Sequence, residues 1–367
     1  MKKKVLFIIW SYSYGGGAER ILTNIVNNLD PSKYEIDILE YVCAGIKKEE
    51  INDNINLLNP IIDITDRSFI NRVNNYIKEK VVYRFPKLLR QKYIKKDYDV
   101  EIAFNYLIPT FLLNYNVKTI GWCHGAVTDL KENDKLKKLQ KKYYDKINKI
   151  VAISNKTFDS VIDVYPEYKN KVELIYNGFD KNNILNKIND YKAENIDILY
   201  CGRFDENKNP AKFIEIIKNI KKVKNDIRAG MLGIGKLEEN IKKMIDEYKL
   251  GDNVILYGYK DNPYPIINST KIMCLTSCSE GFPTVLMEGM ILGKPFISTE
   301  VAGTKEMSNS NKCGFVSNDN EMLCKYAIKL LEDKKLYDVM SRDSKKHAEN
   351  FTLINQIKNI ESIIDKE

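Results

Sequence analysis

The sequence contains only two histidines, His124 and His347, so a metal site built on several imidazoles is excluded. Its seven cysteines, an odd number, are scattered from Cys43 to Cys324 with no CxxC pair. That spacing suits neither a zinc site nor a disulfide framework; it suits reduced core cysteines in a reducing compartment. No apolar run is long enough to cross a bilayer, "VLFIIW" at Val5–Trp10 being typical. The opening "MKKKVLFIIW" has the lysines of a signal peptide. Its apolar part is too brief, however, and "SYSYGGGAER" stands where a small-residue cleavage site would be. A first buried strand and a cytoplasmic location are the expectation. There is no GxGxxG fingerprint, no solenoid repeat, no low-complexity tail and no basic helix with base-reading residues. Neither a cofactor nor nucleic acid is expected as a partner, and the net charge of +8 is modest for 367 residues.

What the chain does have is length for about two domains and a globular composition, 44% hydrophobic and 29% charged. Short β-branched runs alternate with helical patterns throughout. In the first half strands are expected at residues 4–10, 34–42, 98–104, 118–122, 150–154 and 171–176. In the second half they are expected at 198–202, 228–233, 254–259, 272–276, 295–300 and 314–317. Between them lie segments of 3.6-residue period, such as "AERILTNIVNNL", in which Ile21, Leu22, Ile25, Val26 and Leu29 share a face. This alternation predicts an α/β protein of doubly wound parallel sheets. It restarts near the polar stretch 177–195, giving two Rossmann-like domains, residues 1–180 and 181–348, facing across a cleft. Residues 349–367 form a C-terminal helix expected to return toward the first domain.

Lysine concentrates in two segments of the first half, Lys78–Lys96 and Lys135–Lys149, both mixed with apolar residues. Each alone reads as a solvated helix face. Together they also suit a basic apolar surface toward anionic lipid at the inner face of the membrane.

Three constellations carry chemistry. "YGGGAER" (Tyr14–Arg20) opens a helix directly after the first strand, so the amides around Gly16 and Gly17 can approach an anion. A tight turn alone would look the same. "YCGRFDENKNP" (Tyr200–Pro210) sets Arg203 and Lys208 on a loop at a strand's carboxyl end, where a fork and a point charge can clamp a diphosphate. Surface bases are common in this chain, which is the competing reading. In "CSEGFPTVLMEG" (Cys278–Gly289), Glu280 precedes a helix and Glu288 lies inside it, roughly 7 Å from its start at ~1.5 Å per residue. Pro283 suits the first turn, and Gly293 with Pro295 ends the helix. A diphosphate held by the amides of Gly281, Phe282 and Thr284 would have one acid on each side. Carboxylates accept from paired sugar hydroxyls. A nucleotide sugar follows, with ribose on Glu288 and the transferred sugar on Glu280.

The stretch "EGFPTVLMEGMILGKPFISTEVAGTKE" resembles the E-x7-E signature of the retaining glycosyltransferases of family GT4, whose fold is GT-B. "CGRFDENKNP" is similar to their diphosphate loop, "YNGFD" (Tyr176–Asp180) to their interdomain turn, and "GGGAER" to their N-terminal glycine loop. "LGIG" (Leu232–Gly235) and "LYGY" (Leu256–Tyr259) also fall in the expected order. The resemblance implies Glu280, His124, Arg203 and Lys208 as catalytic, His124 in "GWCHG" standing near the donor sugar. It implies Gly258 and Tyr259 beside the base, and Asn177 among the substrate contacts. It implies front-face transfer without metal, from a UDP-linked hexose or N-acetylhexosamine to a polyprenyl-diphosphate-linked or other saccharide acceptor. Capsular, exopolysaccharide or O-antigen assembly would be the setting. "DYD" (Asp97–Asp99) is a literal DxD, but it precedes a strand and is read as structural. A sugar-nucleotide 2-epimerase on the same fold and a non-catalytic sugar-nucleotide-binding subunit remain as alternatives.

Overall fold

The computed structural model describes residues 1–366 except Gly15 and residues 47–49. The chain divides into two compact units, Met1–Gly178 with Leu353–Glu367, and Phe179–Thr352. The first unit carries β1 (Lys3–Ile9), β2 (Tyr34–Glu40), β3 (Val42–Cys43), β4 (Ile55–Leu57), β5 (Ile62–Asp63), β6 (Val100–Ala103), β7 (Lys118–Cys123), β8 (Lys149–Ala152) and β9 (Val172–Leu174). Seven of these form one sheet in the order β4-β2-β1-β6-β7-β8-β9, and β3 pairs with β5. The second unit carries β10 (Ile196–Cys201), β11 (Ala229–Leu232), β12 (Val254–Gly258), β13 (Thr270–Leu275), β14 (Phe296–Ser298) and β15 (Gly314–Val316). Their order is β12-β11-β10-β13-β14-β15.

Every pairing in the two larger sheets is parallel. Parallel strands are covered by helices on both faces, which is why they read as unbroken apolar runs. Val5–Ile9 shows this directly, with no residue more than 1% exposed. The strands anticipated from the sequence all have counterparts. The additions are β3, β4 and β5, two or three residues each, too short for a period-two pattern to declare itself. In both sheets the strand order reverses beside the first strand of the unit, between β1 and β6 and between β10 and β13. Such switch points leave a crevice at the carboxyl ends of the strands.

Two anchors tie distant parts of the first unit together. Glu101 of β6 is fully buried and takes a two-pronged contact from Arg90 on the Pro86–Tyr93 helix, Nη1–Oε2 2.8 Å and Nη2–Oε1 2.6 Å. The Asn114 amide donates to the same carboxylate at 2.7 Å. The Leu353–Asp365 helix packs on the Gly17–Asn28 helix of the first unit. There Asp365 accepts from Lys3 Nζ at 2.8 Å and from the Tyr34 hydroxyl at 2.7 Å. The lysine stretch at 135–149 is covered mainly by the Asp134–Tyr144 helix, which buries Gln140, Tyr143 and Tyr144 and turns its lysines outward. The "DYD" acids stand at the amino end of the sheet, where Asp99 Oδ2 accepts from the Lys4 amide at 2.7 Å.

Candidate functional site

The second unit assembles its site at the β10–β13 switch point. After β10 the chain runs through Gly202 and Arg203 to Asn209, whose left-handed φ of 47° lets its side chain cap the Pro210–Lys221 helix through the Lys212 amide. Asp205 shapes this loop, accepting from the Lys208 amide at 2.8 Å and from Arg203 Nε at 2.9 Å. Burial opposes ionisation of Asp205, yet those two donors outweigh it and hold its carboxyl below the ordinary range. Tyr200 ties the loop back to its strand, its hydroxyl donating to the Arg203 carbonyl at 2.8 Å.

The loop after β13 is stitched to this one along its length. Thr276 Oγ1 donates to the Asn209 carbonyl at 2.8 Å, and the Cys278 amide to the Asn207 carbonyl at 2.7 Å. Asn207 Nδ2 returns a bond to the Ser279 carbonyl at 3.1 Å. Lys208 Nζ meets Glu280 Oε1 at 2.5 Å, and Ser277 Oγ donates to the same oxygen at 2.6 Å. Both contacts fall on Oε1, leaving Glu280 Oε2 without a hydrogen-bond partner among the described residues. Lys208 and Glu280 are largely covered, whereas the Arg203 side chain is 65% exposed. Of the two bases the sequence offered, Lys208 is the enclosed one.

Past Glu280 the chain turns through Gly281 and Phe282 into the Thr284–Ile291 helix. Pro283 is the residue before the first helical turn, one place earlier than expected, because its extended ψ of 101° keeps it outside the helix. The helix is buried from Leu286 to Ile291, and Glu288 within it is 5% exposed. A carboxylate there is tolerable only with polar partners. Phe282 is buried against Phe351, and Gly303 packs on Phe282, where a Cβ would lie 2.8 Å from the ring. On the other side of β10, Gly233 has φ 144° and a Cβ there would sit 2.0 Å from the Gly202 carbonyl oxygen. Only glycine lets the β11 loop pass so close to the β10 loop. Gly258 ends β12 with φ 66°, and Tyr259 beyond it is exposed.

In the first unit the expected residues also lie at carboxyl ends. The loop after β1 is fastened to Glu40 at the end of β2, whose Oε2 accepts from the Tyr12 amide and the Ser13 hydroxyl, both at 2.9 Å. Gly16 then precedes the Gly17–Asn28 helix. A Cβ on Gly17 would meet nothing within 4 Å, so the protein itself does not demand glycine there. Gly15 of this motif lies outside the described residues. Asn177 is buried, with Oδ1 unpartnered among the described residues.

His124 directly follows β7, its ring 4.5 Å from that of Phe104 and 6.2 Å from that of Trp122. Nε2 is buried without a hydrogen-bond partner among the described residues. Burial pulls its pKa down to about 4, against a smaller upward pull from a bond to the Phe104 backbone. The imidazole is therefore neutral at pH 7 and offers a hydrogen bond, not a charge. The sign of the pH effect follows. Below about pH 6.5 the unfolded chain takes up a proton that the folded ring refuses until about pH 4. The contribution is intact above pH 6.5 and is lost as pH falls toward 4. Urea unfolding of wild type and His124→Gln from pH 7 to pH 4 should show a steeper acid-side loss in wild type; superimposable profiles would refute the assignment.

Asp205, Ser277, Asn207 and Thr276 were not anticipated from the sequence as parts of the site. The one signal for them was the polar crowding of "RFDENKNP", in which an Asp and two Asn flank the bases. Among the described residues no cluster of three or more His, Cys, Asp or Glu has the arrangement of a metal site.

Two family models match successive parts of the chain. "Glycosyltransferase Family 4" matches residues 15–183, and "Glycosyl transferases group 1" matches residues 180–347. A Campylobacter jejuni N-acetylgalactosamine-N,N'-diacetylbacillosaminyl-diphospho-undecaprenol 4-alpha-N-acetylgalactosaminyltransferase is 27% identical, over 96% of each chain. A second protein of that organism is 23% identical over 95% of each, a transferase named for GalNAc-alpha-(1->4)-GalNAc-alpha-(1->3)-diNAcBac-PP-undecaprenol. Among solved structures, Anabaena HepE in complex with UDP superposes with a TM-score of 0.75 at 16% identity, covering 99% of both chains. WaaG, a glycosyltransferase involved in lipopolysaccharide biosynthesis, gives 0.71 at 13% identity, covering 99% of this chain and 100% of that one.

Proposed function

We propose, from the premise that this chain belongs to the family 4 glycosyltransferases and has their GT-B fold, that it transfers a hexose or N-acetylhexosamine from a UDP-linked donor to a lipid-linked saccharide. The observation that carries the donor half of this reading is the junction of the β10 and β13 loops. Lys208, Glu280 and the start of the Thr284–Ile291 helix converge there. A diphosphate in front of that helix would meet its leading amides and the Lys208 ammonium. Glu280 Oε2 is the acceptor left for a hydroxyl of the transferred sugar, and Glu288 takes the ribose hydroxyls. Gly258 and Tyr259 border the base, with Arg203 a second, more exposed cation. His124, Asn177 and the Gly16–Gly17 turn belong to the acceptor-binding unit.

In the reaction so assigned, an acceptor hydroxyl oxygen bonds to the sugar's anomeric carbon on the face the diphosphate leaves. The carbon–oxygen bond to the diphosphate breaks, and a diphosphate oxygen takes the hydroxyl proton. Lys208 and the helix amides neutralise the departing charge with no metal required, and configuration is retained. The acceptor class is supported by the undecaprenol-linked substrates in the names of both Campylobacter relatives. Bacterial surface-glycan assembly, with the protein peripheral at the inner face of the membrane through basic helices of its first unit, completes the reading.

Titration calorimetry with UDP and GDP, followed by consumption assays with their hexose and N-acetylhexosamine derivatives, tests it. UDP should bind, and Glu288→Ala should weaken it roughly 10- to 150-fold, the worth of a lost charged hydrogen-bond pair. A folded Glu288→Ala with wild-type affinity removes the ribose assignment. Failure of every nucleotide sugar to bind or turn over removes the transferase reading.

A further inference from the structure

The Phe69–Arg84 helix is inside out. A helix on a soluble protein turns its apolar stripe to the core. Here the inward positions are Asn71, Asn75, Lys78, Val81 and Val82, with Val82 the single fully buried aliphatic of the helix. Asn71 Nδ2 donates to the carbonyls of Asp63 and Asp66 at 2.6 and 2.8 Å, and Asn75 Nδ2 to that of Asp63 at 2.7 Å. Lys78 Nζ donates to the Ile61 carbonyl at 2.6 Å. These bonds fix the helix's rotation on the β5 loop, and rolling the apolar side inward would leave those donors and carbonyls unpaired. Solvent instead receives Phe69, Ile70, Val73, Tyr76, Ile77 and Tyr83, between 42% and 79% exposed. Phe85 and Leu88 extend the stripe onto the next helix, at 52% and 59%. Of the twenty large hydrophobics exposed among the described residues, nine lie between Ile64 and Leu88. Contiguous exposed apolar faces of this kind mark protein-contact or membrane-contact sites.

Charge identifies the occupant. Residues 67–96 hold ten bases and one acid, Glu79, a net +9 where the whole chain carries +8. Of these bases Arg90 is taken up by Glu101, Lys96 by Glu35 and Asp37, and Lys78 turns inward, which leaves seven exposed ones, Arg67, Arg72, Lys80, Arg84, Lys87, Lys92 and Lys95, in the segment that bears the stripe. Lys80 lies over the Tyr76 ring at 5.2 Å and Arg84 over Phe85 at 5.7 Å, so cations rim the aromatic surface. A second copy docking on this face would bring two such charges together. A nucleic-acid backbone would match the bases and leave the apolar stripe against phosphate.

We infer that the outward stripe of the Phe69–Arg84 helix, with Phe85 and Leu88, inserts into the surface of an anionic lipid bilayer, with the flanking Arg and Lys at the headgroups. The inference rests on the peripheral-membrane reading above and gives it a face. It also separates the two lysine-rich segments, since the Asp134–Tyr144 helix buries its aromatic side and has no such stripe.

The test is cosedimentation of the full chain with phosphatidylcholine vesicles with and without phosphatidylglycerol, in the absence of donor and acceptor. Wild type should bind only the anionic vesicles. Phe69→Ser/Val73→Ser/Ile77→Ser should lower the partition coefficient at least tenfold with its melting temperature unchanged, because these side chains point away from the core. Arg72→Gln/Arg84→Gln/Lys87→Gln should abolish the salt-sensitive part of binding. In an Ile77→Trp variant the new emission should shift to the blue on anionic vesicles. Equal binding by the apolar triple variant and wild type would overturn insertion, as would an absence of vesicle binding. A wild-type dimer that the triple variant converts to a monomer would assign the face to a second copy instead. UDP binding, measured separately, should be unaffected by these changes, so a failure here and a failure of the transferase reading are told apart.

Discussion

Lys208→Ala is expected to lower kcat by about 10²- to 10³-fold, the usual loss when one preorganised group facing developing negative charge is removed. Arg203→Ala is expected to cost tenfold at most. The difference comes from burial. Two unit charges about 4 Å apart interact by ~4 kcal/mol at an effective dielectric of 20 and by ~1 kcal/mol in bulk water. The Lys208 ammonium is one-quarter exposed and fixed by Glu280, so it sits nearer the first regime. The Arg203 side chain is 65% exposed and sits nearer the second. Removing Lys208 also leaves Ser277 alone to hold the Glu280 carboxylate among the described residues, so the acid proposed to bind the sugar loses its orientation along with its counter-charge. Steady-state kinetics on the donor the consumption screen identifies would read this, with the loss in kcat exceeding any rise in KM. Near-wild-type kcat in Lys208→Ala, or a larger loss in Arg203→Ala than in Lys208→Ala, would show that the wrong base had been chosen.

The largest stability effect is expected at Glu101. Glu101→Ala leaves the Arg90 guanidinium, 18% exposed, and the Asn114 amide facing an apolar methyl. Breaking one side of a buried pair costs about 3–5 kcal/mol. At roughly 2–4 °C per kcal/mol for a unit of this size, the melting temperature should drop by on the order of 6–20 °C. Arg90→Met/Glu101→Leu should recover most of that, since replacing both partners by apolar groups removes the stranded charge. Circular dichroism melts of the three proteins decide it. A double variant as unstable as the single one would mean that the packing of Glu101, not its charge, is what matters.

Much of the architecture was legible because parallel strands buried on both faces are unbroken apolar runs, as at Val5–Ile9. The proposed donor site was legible as a candidate because a strand, a loop acid, a proline and a helix occur in fixed succession around Glu280 and Glu288. Other features were not. Periodicity reports that the Phe69–Arg84 helix is two-faced, but it does not say which face looks inward. Backbone carbonyls of the β5 loop decide that, and they have no sequence signature. The Lys208–Glu280 contact joins residues 72 apart, and only the adjacency of β10 and β13 brings it about. Ser277 and Asp205 were missed for a related reason. Ser and Asp are unremarkable in loops, and their roles exist only once two loops are laid side by side.

The return of the Leu353–Asp365 helix to the first unit has a consequence for synthesis. A nascent chain emerges from the ribosome amino end first, at roughly 5–20 residues per second. The second unit, Phe179–Thr352, is complete before the first one is. For roughly ten to forty seconds the earlier-made unit waits with its side of the contact between the Gly17–Asn28 and Leu353–Asp365 helices uncovered and with Lys3 and Tyr34 lacking Asp365. The unit begun first is therefore completed after the second, and a ribosome that stalls before the Leu353–Asp365 helix has emerged strands it open.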